Sequence, residues 1–149
     1  MTRTNAREIA VRLCFEISEN PTDAAELLDA TFEPEYYATL AGEDELFSQL
    51  PDAKQMEYIR RLVKGVGEHS PELDGYVEKY ARGWRFDRLS RMALAIIKAS
   101  MFEMMYMPDV PNGVSINEAV ELTKRYEEPD MAAYVNGVLG SFSREELPE

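Results

Sequence analysis

The stretch VPNGVSINEAVELTKRY, residues 110–126, decides the fold. A turn signal, a helix start and an amphipathic run follow one another within it. Asn112-Gly113 is turn chemistry, because both residues tolerate positive φ. Ser115, with Glu118 three residues on, reads as a capping box. Ile116, Ala119, Val120 and Thr123 then recur on one helical face. A second Asn-Gly pair lies in YVNGVL, residues 134–139, where the apolar pattern runs on as a helix. Glycine costs about 1 kcal/mol against alanine inside a helix. The sequence therefore predicts a compensation: a close helix approach at Gly137, or a task for Asn136.

The same periodicity extends outward in both directions. Upstream, Ala6, Ile9, Ala10, Leu13 and Ile17 make one apolar face, with Asn5 and Glu8 spaced as a capping box. Pro21 predicts the end of that helix. A short helix is expected over 24–30, and short helical pieces and loop over FEPEYYATLAGEDELFSQLPDA. Met56, Ile59, Leu62, Val63 and Val66 restore a clear helix. Ser70 reads as the cap of the next, with Pro71 at its first position. Asp87 reads as the cap of RLSRMALAIIKASMFEMMY, which is apolar over much of its circumference and so predicts a central buried helix. Pro129 and Asp130 restart a last helix through Phe142. No useful strand alternation, internal repeat or low-complexity tract appears. The fold class is all-α: a compact bundle of about six or seven helices.

With 149 residues and 45% hydrophobic content, the chain suffices for one domain or two small subdomains with a real core. Its single cysteine, Cys14, excludes an intrachain disulfide and fits a reducing compartment. The N-terminus lacks the apolar run of a signal peptide. No stretch approaches the roughly 20 apolar residues that cross a bilayer. The expectation is a soluble cytoplasmic protein with no membrane role.

The net charge is −12, which by itself disfavours nucleic acid. Its distribution is uneven. No basic residue falls between Arg12 and Lys54, a span carrying Glu16, Glu19, Asp23, Glu26, Asp29, Glu33, Glu35, Glu43, Asp44, Glu45 and Asp52. Basic residues cluster elsewhere: Arg3, Arg7 and Arg12 at the start, then Arg60, Arg61, Lys64, Lys79, Arg82, Arg85, Arg88, Arg91 and Lys98. The acidic span reads either as a solvated surface or as a face for a basic protein.

Enzyme chemistry finds little support. The one histidine, His69, and the one cysteine are far apart and give no metal-ligand spacing. Cys14 falls on an apolar face, where a thiol is inert. The chain has no Glu-x-x-His pair, Gly-rich phosphate loop or G-x-S-x-G elbow. No catalysis, metal or cofactor is expected.

AREIAVRLCFE near the N-terminus, YARGW, MALAIIKASMFEM, DVPNGVSINEAVELTKRY and YVNGVLG come in an order and spacing that resembles the transcription antitermination factor NusB family. The resemblance covers most of the chain and is weakest over 22–54. It implies an all-helical, NusB-like protein of two small three-helix-like halves, read as a single RNA-binding domain over 1–149. It also implies binding to boxA RNA of nascent transcripts, notably from ribosomal RNA operons. The implied protein partners are NusE, a ribosomal small-subunit protein, and the RNA polymerase antitermination complex.

The resemblance carries over residue by residue. RTNARE, residues 3–8, matches a thinned arginine motif: Arg3 and Arg7 fit it, while Thr4 and Asn5 stand where arginine is common. Asn5 is a candidate RNA contact or a cap alone. Phe15 is implied to stack on a base, with core packing as the alternative. Lys98 matches a basic position where arginine is usual, and loses bidentate geometry. Tyr134 and Asn136 match an aromatic-x-Asn beside the RNA path, suited to stacking and base-edge hydrogen bonds. Asp130 matches an acidic position that tempers RNA affinity. Tyr80, Phe102 and Glu103 fall in segments that resemble the NusE-facing helices, and Ala93 stands where relatives often carry an acid. Two other readings stay open: a NusB-fold protein-interaction module with little RNA affinity, and the N-terminal domain type found in some RNA methyltransferases, against which the end at SREELPE argues. A homodimer that buries the RNA face is also compatible with the sequence.

Overall fold

The computed structural model describes residues 1–81 and 89–147. Among the described residues there are eight α-helices, one short 3-10 turn and no strand. The count is one above the expected range, because the stretch read as short helical pieces contains a full helix, Pro34–Leu40. The chain divides into two compact units, Met1–Gly67 and Glu68–Glu149.

The first unit comprises α1 (Arg3–Glu19), α2 (Ala24–Thr31), α3 (Pro34–Leu40), the 3-10 turn Glu45–Phe47 and α4 (Ala53–Glu68). Ile9, Leu28, Ile59 and Leu62 are fully buried and form its core. Cys14 is buried and free. Phe32 stacks on Tyr37, Phe47 meets Tyr37 edge-on, and the Tyr37 hydroxyl donates to the Gln49 carbonyl at 3.0 Å. Four carboxylates of the acidic span serve helix starts. Asp23 accepts from the amides of Ala25 and Glu26, Glu33 from those of Glu35 and Tyr36, Asp44 from Leu46 and Asp52 from Gln55. Each helix begins with unsatisfied amides and a positive dipole end, so a carboxylate there is favoured twice over. A chain that starts several helices in quick succession becomes acidic for this reason.

The second unit comprises α5 (Ser70–Tyr80), α6 (Arg91–Tyr106), α7 (Asn112–Tyr126) and α8 (Pro129–Glu146). As its apolar circumference predicted, α6 is the central helix, with Ile96, Ile97 and Met101 fully buried and α5, α7 and α8 packed on it. Phe142 of α8 is fully buried, edge-on to Tyr76 and Tyr80 at 5.2 and 6.0 Å. A polar seam joins α6 to α7. The Ser115 hydroxyl donates to the Glu103 carboxylate, and Ser100 donates to the Ser115 carbonyl at 3.3 Å.

Several helix starts differ from the sequence reading. Thr2, rather than Asn5, caps α1 by accepting from the Asn5 amide, and Asn5 lies within the first turn. Ser90 caps α6; Asp87, the expected cap, lies outside the described residues. Ser70 is the first residue of α5, whose cap His69 makes no side-chain cap bond. Asn112-Gly113 opens α7 instead of forming a free turn, because Pro111 already supplies the extended cap position. Ser115 is then one turn inside the helix, with its hydroxyl spent across the seam. At Ser70 and Ser115 the hydroxyl expected to cap is instead engaged by a distant side chain, Lys98 and Glu103 respectively.

Candidate nucleic-acid interface

In the first unit, the arginine motif folds back on α4. Gln55, Tyr58, Ile59 and Leu62 fall at helical spacing, so an amide and a phenol share the buried face of α4 with aliphatic residues. Arg3 of α1 donates from Nε to Gln55 Oε1 at 2.7 Å, and its guanidinium lies 4.1 Å over the Tyr58 ring. Arg7 lies 5.5 Å from the same ring and is only 7% exposed. A ring face attracts a cation without cancelling its charge, and Arg3 keeps further donors beyond the one given to Gln55. Asn5 and Phe15 are half-buried on α1. Arg12, further along, is paired with Asp44 at 2.8 Å and lies over Phe47. The Leu46 amide and then Arg12 hold the Asp44 carboxyl below its usual range. Tyr58 and Gln55 were not singled out in the sequence. Their position on an otherwise apolar stripe is the signal that would have found them.

In the second unit, Lys98 rises from α6 to α5. Its Nζ donates to Ser70 Oγ at 2.7 Å and pairs with Asp74 at 2.8 Å, leaving the side chain 14% exposed. This contact explains how a lysine sits in an apolar helix, and it also matches the charge locally. Asp74 carried no sign of this partnership beyond its place near a helix start.

Tyr134 and Asn136 are two residues apart on α8, about 200° around its axis. Tyr134 is half-buried, and burial pushes its phenol above the ordinary range; Asn136 is exposed. The two therefore serve different flanks of α8. Gly137 is exposed, and a Cβ built there meets nothing within 4 Å, so the expected close helix approach is absent among the described residues. Instead, Gly137 lines a shallow cavity of about 460 Å³ between α5 and α8, with Lys79, Tyr80, Tyr134, Ser141 and Glu145. At its edge Lys79 pairs with Glu146 at 2.7 Å, and the Tyr80 hydroxyl donates to the same carboxylate. The bond from Lys79, then that from Tyr80, holds the Glu146 carboxyl below its usual range; Glu146 in turn raises the Lys79 ammonium.

The residues implied to face a protein partner are largely interior. Phe102 is 4% exposed and packs on His69 and Tyr106; Glu103 is 1% exposed in the α6–α7 seam; Tyr80 is 8% exposed with its hydroxyl on Glu146. Ala93 is fully buried. Asp130 is exposed in the first turn of α8. Arg82, Arg85 and Arg88 lie outside the described residues. No group of metal-ligating side chains is found among the described residues, and no described helix is long and apolar enough to cross a membrane.

The described residues form an all-helical fold with Arg3 stacked on Tyr58, an exposed asparagine on α8 and a tyrosine-lined cavity. Comparison with known proteins gives the family. The sequence profile of the NusB family matches residues 4–144. The chain is 38% identical over 149 residues to the transcription antitermination protein NusB of Ruminiclostridium cellulolyticum, covering 100% of this chain and 93% of that protein. It shares its fold with a solved structure of T. maritima NusB, with a TM-score of 0.74 at 22% identity over 97% of this chain and 92% of that one. It also shares it with NusB in a structure of antitermination factors NusB and NusE in complex with dsRNA, with a TM-score of 0.72 at 20% identity over 95% and 96%. The chain belongs to the NusB family.

Proposed function

We propose that the chain is a transcription antitermination factor of the cytoplasm. It binds boxA-type RNA of nascent transcripts, including those of ribosomal RNA operons, together with NusE and RNA polymerase. It works by binding, with no catalytic step. The observation that carries this reading is the 38% identity to a transcription antitermination protein along the whole chain. The fold-mate solved with NusE and dsRNA supports the choice of partners.

Arg3 is the cation best placed to meet a phosphate, since it is stacked on the Tyr58 ring and bonded to the uncharged Gln55 amide. Arg7 works from beside the same ring. Asn5 and Phe15 flank them on α1, Lys98 contributes once Asp74 yields, and Tyr134 and Asn136 act from α8. Tyr80, Phe102 and Glu103 support the NusE-facing helices from within. An acidic chain gains RNA affinity by joining a basic ribosomal protein, which brings its own counter-charge.

The test is binding of a labelled boxA-type RNA across a salt series, with and without the cognate NusE. Salt-sensitive binding that strengthens with NusE and falls in Arg3→Ala or Lys98→Ala upholds the reading. NusE binding with no gain in RNA affinity favours the interaction module, which the buried Arg7 and the paired Lys98 would suit. Sedimentation of the same samples reports whether a homodimer forms and whether RNA dissolves it.

A further inference from the structure

We propose that the α5–α8 cavity is a nucleotide subsite and that Glu146 is its built-in competitor. The claim rests on the RNA-binding reading above, which already includes Tyr134, and adds to it a cation and a gate.

The cavity has the parts a single-stranded nucleotide needs. Tyr134 supplies aromatic surface, for which base–aromatic stacking tolerates any base, and Tyr80 supplies its hydroxyl at the cavity edge. Ser141 supplies a hydroxyl. Gly137 leaves open space where any other residue would place a Cβ. Lys79 supplies a cation at the edge, its Nζ 5.3 Å from the Tyr80 ring centre and its side chain 53% exposed. All of these residues belong to one unit, so the subsite is complete within it.

The last turn of α8 then places a carboxylate on that cation. Glu146 takes both the Lys79 ammonium at 2.7 Å and the Tyr80 hydroxyl. A phosphate offers the same chemistry: an anionic oxygen with room for two donors. Phosphate and Glu146 therefore compete for one pair of groups, and the free protein holds the subsite in its own anion. This gives α8's final turn a purpose that helix stability alone does not require, because an ion pair this exposed stabilises little.

The experiment compares the wild-type chain with Glu146→Gln, Glu146→Ala, Lys79→Ala and the double variant Lys79→Ala/Glu146→Gln. Each is titrated with a labelled boxA-type single-stranded RNA over a salt series, with circular dichroism to confirm helix content. Glu146→Gln and Glu146→Ala should tighten binding severalfold and steepen the salt slope by about 0.7, the value of one phosphate contact on a single strand. Lys79→Ala should abolish that gain, so the double variant binds like Lys79→Ala. Unchanged or weaker binding by folded Glu146 variants overturns the proposal, as does a gain that survives in the double variant. If the wild type binds no RNA even with the cognate NusE present, the antitermination reading fails by itself. RNA binding that then appears only in the Glu146 variants still upholds the gate, and its absence there overturns both.

Discussion

The two units hold their candidate cations by different means. At the start of α1, Arg3 and Arg7 gather on the face of Tyr58, with an amide as the polar partner. In the second unit, Lys98 and Lys79 each face a carboxylate, Asp74 and Glu146. A ring positions a guanidinium and leaves its charge available to a phosphate; a carboxylate positions an ammonium and satisfies it. In the first arrangement Arg3, half-buried and bonded to an amide, is ready to bind an anion. The second must exchange one anion for another, which makes its contribution to binding depend on how firmly its own acid is held.

The largest effect separates the units at the level of the core. Phe142→Ala removes a fully buried ring that backs Tyr80 and Tyr76. It should cost about 3–5 kcal/mol, as large core truncations do. Denaturant unfolding followed by circular dichroism measures this. A loss below about 1 kcal/mol would mean that the second unit's charged groups do not stand on that core.

The contrast between ring and carboxylate is tested by a pair of opposite signs. Tyr58→Leu keeps an apolar filler but removes the ring under Arg3 and Arg7, a contact worth about 0.5–1 kcal/mol for a partly exposed cation. RNA affinity should fall severalfold. Asp74→Asn keeps a polar partner for Lys98 but removes the competing charge, so RNA affinity should rise. Titration of both variants with the same RNA decides the matter, and changes of the same sign would erase the distinction.

The smallest effect is acid-dependent. Asp44 and Glu146 have carboxyls held below their ordinary values of 3.8 and 4.5. A depressed carboxyl contributes stability that is fully present above its ordinary value and is lost as pH falls through the lowered one. Both units should therefore be insensitive to these groups near neutrality and lose a small increment only below those values. Melting curves of Asp44→Asn and of the wild type should converge in acid and differ slightly at pH 7.

Much of the fold was legible because its signals are local. Proline marks the end of α1 and the starts of α5 and α8, and apolar spacing marks α4 and the central α6. The starts that were misread, at Asn5, Ser70 and Ser115, fail for one reason. A serine or asparagine carries the same capping potential wherever it stands, and only the folded chain decides whether a backbone amide or a distant side chain claims it. The candidate site was legible as residue types: arginine at the N-terminus, lysine in an apolar helix, tyrosine and asparagine on α8. What each touches was not, because Gln55 and Tyr58 are 52 and 55 positions from Arg3, and Asp74 lies on a different helix from Lys98. The acidic span shows the reverse case. It read either as a solvated surface or as a face for a basic protein, and four of its carboxylates, Asp23, Glu33, Asp44 and Asp52, are accounted for by helix starts.

The serine–glutamate seam between α6 and α7 has a further consequence for how this chain avoids error. Aliphatic helices can slide past one another at modest expense, since one methyl group replaces another. Glu103 cannot. A slip of α7 by one residue turns Ser115 about 100° away from it and deprives a buried carboxylate of a donor, at a cost of about 1–3 kcal/mol or more. The seam therefore works as a keyed joint: it adds little attraction of its own, but it makes the neighbouring registers worse, and so lets two apolar helices find a single alignment.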